Sequence, residues 1–305
     1  MRIGLDVGGT KILAVAVDGE SRVLASERRP TGWGADAVVD GIVAAICAVS
    51  GGAQPDAVGI GVPGQIAPAG GVVRHALNLG IEQLDLAAAV ARRTGIRPTV
   101  DNDVRAAAVG AAARMPDAGA LAYLNLGTGV AAGIVVGGMP WRGARGAAGE
   151  IGHVSVDPAG PLCPCGQRGC IEALAGGANV AARWGRPVDL PVAAVFDAAD
   201  AGDLEAEAIR GDVVRGVAAA AQLLVLTADV DVVVLGGGVS HLGERLHAPV
   251  RAALRQAASG STFLTSLDLA RRVAAVPDGD PVGAVGAALL AVPAPGRVAA
   301  GGGGG

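Results

Sequence analysis

At 305 residues, 51% of them hydrophobic, the chain is long enough for two domains with cores of their own and too apolar to be disordered. Its formal charge of −4 offers no general attraction to nucleic acid or anionic lipid. No uninterrupted apolar run reaches the ~18 residues of a membrane span, since Gln, Asp and Arg break even the stretch from Val213 to Gly238. The opening MRIGLDVGG lacks a charged-then-apolar leader, so a cytoplasmic protein with reduced thiols is expected.

Arg2–Asp6, Ile12–Val17 and Arg22–Ser26 read as short strands joined by Gly-containing turns. A helical period over Asp36–Val49 and a buried strand at Ala57–Gly61 follow, an order of βββαβ. Leu84–Thr94 is helix-like, Arg97–Asp101 a strand, and Val104–Arg114 an Ala-rich helix. A second α/β unit opens at Ala120–Leu126, turns through Gly127-Thr128-Gly129 and returns as Val130–Val136, repeating the opening hairpin in architecture with weak identity. Helices follow near Asn179–Trp184, Val192–Ala199 and Ile209–Ala228, then strand Val230–Leu235, helix His241–Ala257, strand Arg272–Val276 and helix Val282–Val292. The expected division is a small domain at 1–115 completed by a C-terminal helix at 282–297, a larger domain at 116–281, and a disordered Gly-rich tail at 298–305.

Three glycine turns have the makings of an anion site. In Asp6-Val7-Gly8-Gly9-Thr10-Lys11 a strand ends in an acid and two glycines, which let backbone N–H groups approach a phosphate while Thr10 and Lys11 add a hydroxyl and a charge. A plain hairpin is the other reading. Gly127-Thr128-Gly129 presents a second Gly-flanked hydroxyl, and Gly236-Gly237-Gly238 lies where a strand is expected to hand over to a helix. No GxGxxG opens a helix with an acid ~20 residues on, which argues against a dinucleotide fold.

Three of the four cysteines, Cys163, Cys165 and Cys170, fall within eight residues, an odd number that cannot close into internal disulfides. His153, ten residues upstream, supplies a fourth ligand, and Pro and Gly between the cysteines bend the backbone toward a common centre. A structural Zn²⁺ in the loop 153–172 is the economical reading; buried or redox-active thiols are the alternative. Cys47, in the apolar run IVAAICAV, is expected in the core.

These motifs resemble the ROK family of sugar kinases and sugar-responsive repressors, most closely its bacterial glucokinase branch, over residues 1–292. The matching segments are DVGGTKI at 6–12, GVPGQI at 61–66, Asn78-Leu79, Asp101-Asn102-Asp103, LGTGVAAGIVVGG at 126–138, GEIGH at 149–153, CPCGQRGCIE at 163–172 and LGGGV at 235–239. The resemblance implies a two-lobed, actin-like sugar-kinase fold of duplicated RNase H-like βββαβαβ units, with ATP and sugar meeting between the lobes, and a homodimer or homotetramer. It implies transfer of the ATP γ-phosphate to the 6-hydroxyl of an aldohexose, glucose first, with Asp103 as the base. Asn78, Asn102, Asp103, Glu150, His153 and Glu172 become the sugar ligands. Mg²⁺ accompanies ATP, and Asp6 is the carboxylate expected near it, through water. Capping of the following helix is the plainer reading of Asp103, and a solvated loop acid that of Glu150 and Glu172.

The repressor branch places a helix-turn-helix before the DxGGT turn. Here that turn starts at residue 6, so an enzyme is expected rather than a DNA-binding protein. A non-catalytic sugar sensor and a zinc-stabilised nucleotide-binding protein are the other classes. Four positions depart from the commoner family pattern: Arg105 for Asn, Ala111 for Glu, Ala131 for Gly and Gly176 for Ser. Arg105, expected at the sugar end of the cleft, keeps N-acetylglucosamine, N-acetylmannosamine and kanosamine open as substrates beside glucose.

Overall fold

Arg2–Val7 (β1) and Lys11–Val17 (β2) form an antiparallel hairpin, and Val23–Pro30 (β3) continues it as an edge strand with alternate residues half-buried, the period of a sheet wetted on one face. The computed structural model describes residues 1–67, 70–277 and 279–291. Helix Ala35–Ser50 (α1) buries Val38, Val39, Ile42, Ala45, Ile46 and Val49, a stripe at three- and four-residue spacing, and stops at Gly51 in the left-handed region. The fully buried strand Ala57–Val62 (β4) pairs in parallel with β1, and Thr99–Asn102 (β8) pairs in parallel with β4, giving the order β3-β2-β1-β4-β8.

Between β4 and β8 the structure adds a small antiparallel sheet of Gln65–Ile66 (β5), Val72–Ala76 (β6) and Ile81–Asp85 (β7), with a 3-10 turn at Leu77–Leu79, before helix Leu86–Thr94 (α2). The sequence reading had the helix begin at Leu84. Asp85 sets the true start, because its Oδ1 accepts the Ala88 N–H at 2.9 Å. Helix Asp103–Ala113 (α3) follows β8 directly.

The second unit repeats the frame. Ala120–Leu126 (β9) and Val130–Val136 (β10) form a hairpin, and Met139–Pro140 (β11) is a two-residue edge. After the cysteine loop come Ile171–Ala175 (α4), Gly177–Trp184 (α5), Pro191–Asp200 (α6) and Leu204–Ala228 (α7). Strand Val232–Gly236 (β12), helices Glu244–Ala258 (α8) and Thr262–Ser266 (α9), and strand Val273–Ala275 (β13) complete it. The order β11-β10-β9-β12-β13 has the same pairing senses as the first sheet. Helix α7 starts five residues before its predicted start because Asp203 caps it, with Oδ1 accepting from Glu205 and Ala206. Among the described residues it is the one helix long and apolar enough to cross a membrane, and 44% of its apolar window is buried inside the protein.

Helix Val282–Leu290 (α10) returns to the first unit. Residues Met1–Gly110 with the segment beginning at Pro281 form one compact unit, and Ala111–Asp280 the other. Backbone meets backbone where α10 docks: a side chain on Gly4 or Gly59 would lie 1.9 or 1.8 Å from the Ala284 or Ala287 carbonyl oxygen, and one on Gly286 would lie 1.7 Å from that of Ala106. Positions 292–305, including the expected end of the last helix and the tail, lie outside the described residues.

Candidate active site

One set of predicted residues gathers in the first unit. Asp6 stands one residue before the end of β1, and the turn after that strand is closed by the Gly8 N–H donating to the Lys11 carbonyl at 2.9 Å. The buried Thr31 hydroxyl donates to the Gly8 carbonyl at 2.7 Å, while Thr10 and Lys11 stand exposed. Asn78, on the 3-10 turn, lies beside Gly9, with its Nδ2 3.4 Å from where a Gly9 side chain would begin. At the start of α3 the capping role falls to Asn102: its Oδ1 accepts from Val104 (3.0 Å) and Arg105 (3.2 Å), and its Nδ2 donates to the Gly64 carbonyl at 3.4 Å. Asp103 therefore is not needed as the cap. One of its oxygens takes the Val104 N–H at 2.9 Å.

Asp103 keeps some contact with solvent, yet protein rings it closely, and this desolvation pushes its carboxyl up to about 6. Hydrogen bonds from backbone N–H groups, the Arg105 charge and the Asn102 amide oppose the rise. Asp6 is pushed further, to about 7, by burial and then by the charge of Asp103, with Lys11 opposing. The two carboxyls are electrostatically linked, so their titration belongs to the pair.

Arg105 is 6% exposed, with its Nε donating to Asp101 Oδ1 at 2.7 Å in a buried ion pair that spans the junction of β8 and α3. The same Asp101 oxygen accepts the Asn102 N–H at 2.8 Å. The departure from the family's Asn is absorbed by Asp101 and braces the strand-to-helix junction on which Asn102 and Asp103 stand.

The other set belongs to the second unit. Glu172 sits in the first turn of α4, and its Oε2 accepts the Val130 N–H at 3.0 Å, so it is a half-buried acid fixed to the second glycine turn and not a solvated loop acid. The Gly177 and Ala178 N–H groups donate to the Gly127 and Thr128 carbonyls at 2.9 and 3.0 Å, leaving the exposed Thr128 hydroxyl at the tip. Gly176 has no room for the family's Ser: a side chain there would start 2.7 Å from the Glu172 carbonyl oxygen.

The third turn lies against the second. Gly237 has φ +83°, and a side chain on it would start 2.6 Å from the Leu126 carbonyl oxygen and 2.7 Å from Asn125 Oδ1, whereas Gly238 faces open space and Gly236 abuts Tyr123. The turn hands over to a 3-10 segment, Gly238–Leu242, and only then to α8, three residues later than the predicted helix.

Glu150 precedes the 3-10 turn Ile151–His153 and His153 ends it; the turn is joined to β10 through Gly149, whose carbonyl accepts the Ala132 N–H at 2.7 Å, and both side chains are exposed. The ligand atoms of His153, Cys163 and Cys165 lie within 4.8 Å of one another, and Cys170 Sγ is 3.6 Å from Cys165 Sγ. None of the four cysteines is in a disulfide, and Cys47 is exposed on α1, against the expectation of a core position. Hydrogen bonds from the Gln167 backbone and side chain lower Cys165 to about 6, while burial and the two neighbouring sulfurs push Cys170 up to about 12. The gathered ligand atoms are thus one nitrogen and two sulfurs, with the Cys170 sulfur next to Cys165, a soft-donor set of the kind that holds Zn²⁺.

Sequence reasoning missed three residues here: Gly64, which receives Asn102; Asn125, beside Gly237; and Gly283, beside Asp6. Gly64 lay inside a quoted motif. The other two are joined to the site by long-range contacts that no local spacing announces.

The ROK family profile matches residues 2–293, and the chain belongs to that family. It is 34% identical over 273 residues to a glucokinase of Thermotoga maritima, covering 82% of this chain and 85% of that one. With an N-acetylmannosamine kinase of Yersinia pestis it shares 34% over 249 residues, 78% of this chain and 82% of the other. Among solved structures, a ROK family glucokinase from Streptomyces griseus in complex with glucose and AMPPNP superposes with a TM-score of 0.77 at 33% identity, covering 95% of this chain and 98% of that one. The fold is the duplicated α/β, actin-like fold of the ROK sugar kinases.

Proposed function

We propose that the chain is an ATP-dependent hexose kinase that phosphorylates the 6-hydroxyl of glucose. The observation that carries this reading is the junction of β8 and α3, where Asn102 takes the cap and leaves Asp103 as a desolvated carboxylate beside the first glycine turn. In the proposed step the sugar's 6-oxygen bonds to the γ-phosphorus as the bond to the β,γ-bridging oxygen breaks. The hydroxyl proton passes to Asp103, and ADP leaves. Because phosphoryl transfer passes through a loose transition state, the carboxylate serves as much to align the hydroxyl as to remove its proton.

Asn78, Asn102, Glu150, His153 and Glu172 are assigned to the other sugar hydroxyls. The three glycine turns, with Thr10, Lys11 and Thr128, are assigned to the nucleotide. Asp6 is the acid assigned to Mg²⁺, which when bound neutralises charge on the phosphates. Structural Zn²⁺ would be held by His153, Cys163, Cys165 and Cys170, fixing the imidazole so that its other nitrogen faces the sugar. The reading includes a cytoplasmic homodimer or homotetramer acting on small molecules, with no nucleic acid or membrane partner.

An amino-sugar substrate is the second reading, favoured by the similarity to an N-acetylmannosamine kinase. ADP release measured with glucose, mannose, fructose, N-acetylglucosamine, N-acetylmannosamine and kanosamine separates them. Glucose is expected to give the highest kcat/KM. Sugar binding without ADP release would identify a sensor instead.

A further inference from the structure

Gly283 stands in the first turn of α10, where glycine has no local justification. Its backbone is outside the positive-φ region, and alanine is the better helix former. The helix's other glycine, Gly286, is explained by its contact with the Ala106 carbonyl. At Gly283 the neighbour is chemical: a side-chain carbon there would lie 2.6 Å from Asp6 Oδ2, 2.8 Å from its Cγ and 3.2 Å from its Cβ. The Asp6 carboxylate occupies the space that a methyl group at 283 would fill. It lies against a helix start that has no side-chain cap of its own, where unpaired N–H groups carry the positive end of the helix dipole.

We propose that Gly283 is a positioning residue for the kinase reaction: it leaves the clearance that fixes the orientation of the Asp6 carboxylate. The inference rests on the proposed function for what Asp6 does, and on packing alone for where Asp6 points. The obstacle to a larger residue is the Asp6 side chain, its carboxyl group at 2.6–2.8 Å and its Cβ at 3.2 Å, and not a backbone wall. A methyl group at 283 is therefore accommodated by rotating the Asp6 carboxyl group, with a shift of a few tenths of an ångström at the Cβ contact.

The test is Gly283→Ala in the full chain, alone and combined with Asp6→Ala. The single variant is expected to melt within a few degrees of wild type and to bind sugar within about twofold, while kcat falls about tenfold or more, the scale of a misplaced reacting-site group. Calorimetry with a non-hydrolysable ATP analogue, with and without Mg²⁺, is expected to show that Gly283→Ala loses the Mg²⁺-dependent part of nucleotide affinity, as Asp6→Ala does. Added to Asp6→Ala, Gly283→Ala is expected to change neither melting temperature nor Mg²⁺ dependence, because the group it displaces is gone.

An active Gly283→Ala enzyme with unaltered Mg²⁺ dependence overturns the proposal. So does a Gly283→Ala effect of equal size in both backgrounds, including unfolding of the double variant, since that assigns Gly283 to helix packing. Wild-type turnover is measured alongside. A wild type that releases no ADP with any of the hexoses sinks the functional reading, whereas the melting and Mg²⁺-binding comparison still decides Gly283.

Discussion

Asp6 and Asn125 occupy the same place in the two halves of the molecule. Each stands one residue before the end of its central strand, two residues ahead of a glycine turn, and each pairs in parallel register with a glycine of the next strand, Gly61 for Asp6 and Gly236 for Asn125. In the first half the position carries an acid that burial and Asp103 push up to about 7. In the second it carries a neutral amide, whose atoms lie against Gly127 and Gly237. A carboxylate suits proton and metal chemistry, while beside phosphate oxygens an amide avoids repulsion and can still donate. The duplicated frame supplies the location, and the residue type at it decides the chemistry.

The sharpest way to break this contrast is to remove the acid function from the first half. Asp103→Asn keeps shape but not basicity, so kcat is expected to fall by on the order of 10²–10⁴ with sugar affinity largely kept. In the parent, kcat/KM should rise with pH through about 6 as the dyad ionises. Turnover of Asp103→Asn within about threefold of the parent, by coupled ADP release at saturating substrates, would reduce Asp103 to a structural role.

Next comes the loop of the second half. About one equivalent of zinc is expected to copurify, and Cys165→Ser or chelation should cost on the order of 2–4 kcal/mol, less than in isolated zinc fingers because one loop and not the whole fold depends on the ion. Sugar affinity should drop while nucleotide affinity stays within about twofold. A metal-free Cys165→Ser protein with parental melting and activity contradicts this.

A smaller effect tests the third turn. Gly237 is a poor probe, since its φ of +83° and the Leu126 carbonyl make any side chain there a folding defect. Gly238 faces open space, so Gly238→Val should fold normally and raise KM for ATP about tenfold while leaving that for sugar unchanged. Movement of the sugar KM alone would show the turn to be misassigned.

The smallest effect concerns pH. Both raised carboxyls bind protons more tightly in the native than in the unfolded chain, so their contribution to stability is fully present below the ordinary value of 3.8 and is lost as pH rises toward about 7. Asp103→Asn should therefore be more stable than the parent at pH 8, by on the order of 1 kcal/mol after allowing for residual solvent contact, and no more stable near pH 3. Denaturant midpoints at the two pH values measure it. The substitution expected to cost the most activity is also expected to gain stability.

The duplicated hairpins were legible because strand, glycine turn and strand are local in sequence, and the gathering of His153 with Cys163 and Cys165 because cysteine spacing is its own signal. The small sheet of β5, β6 and β7 was not, since its strands are two to five residues long and the apolar run at Leu84 is ambiguous in period. The partner of Arg105 was not named, although the acid four residues before it was the available clue. The matches at Asn78, Glu150, His153 and Glu172 named residues but not their attachments. That Glu172 grips the Val130 N–H depends on a contact 42 residues long in sequence.

The docking of α10 also imposes an order on synthesis. The second unit is continuous in sequence, from Ala111 to Asp280, and every strand of its sheet exists before α10 is made. The first unit is begun earlier but finished later. Until residue 290 has left the ribosome, the glycines of β1 and β4, and Val15 and Val17 of β2 with them, have no partner to cover them. The half of the protein translated first thus lacks the cover of α10 until the half translated second is complete.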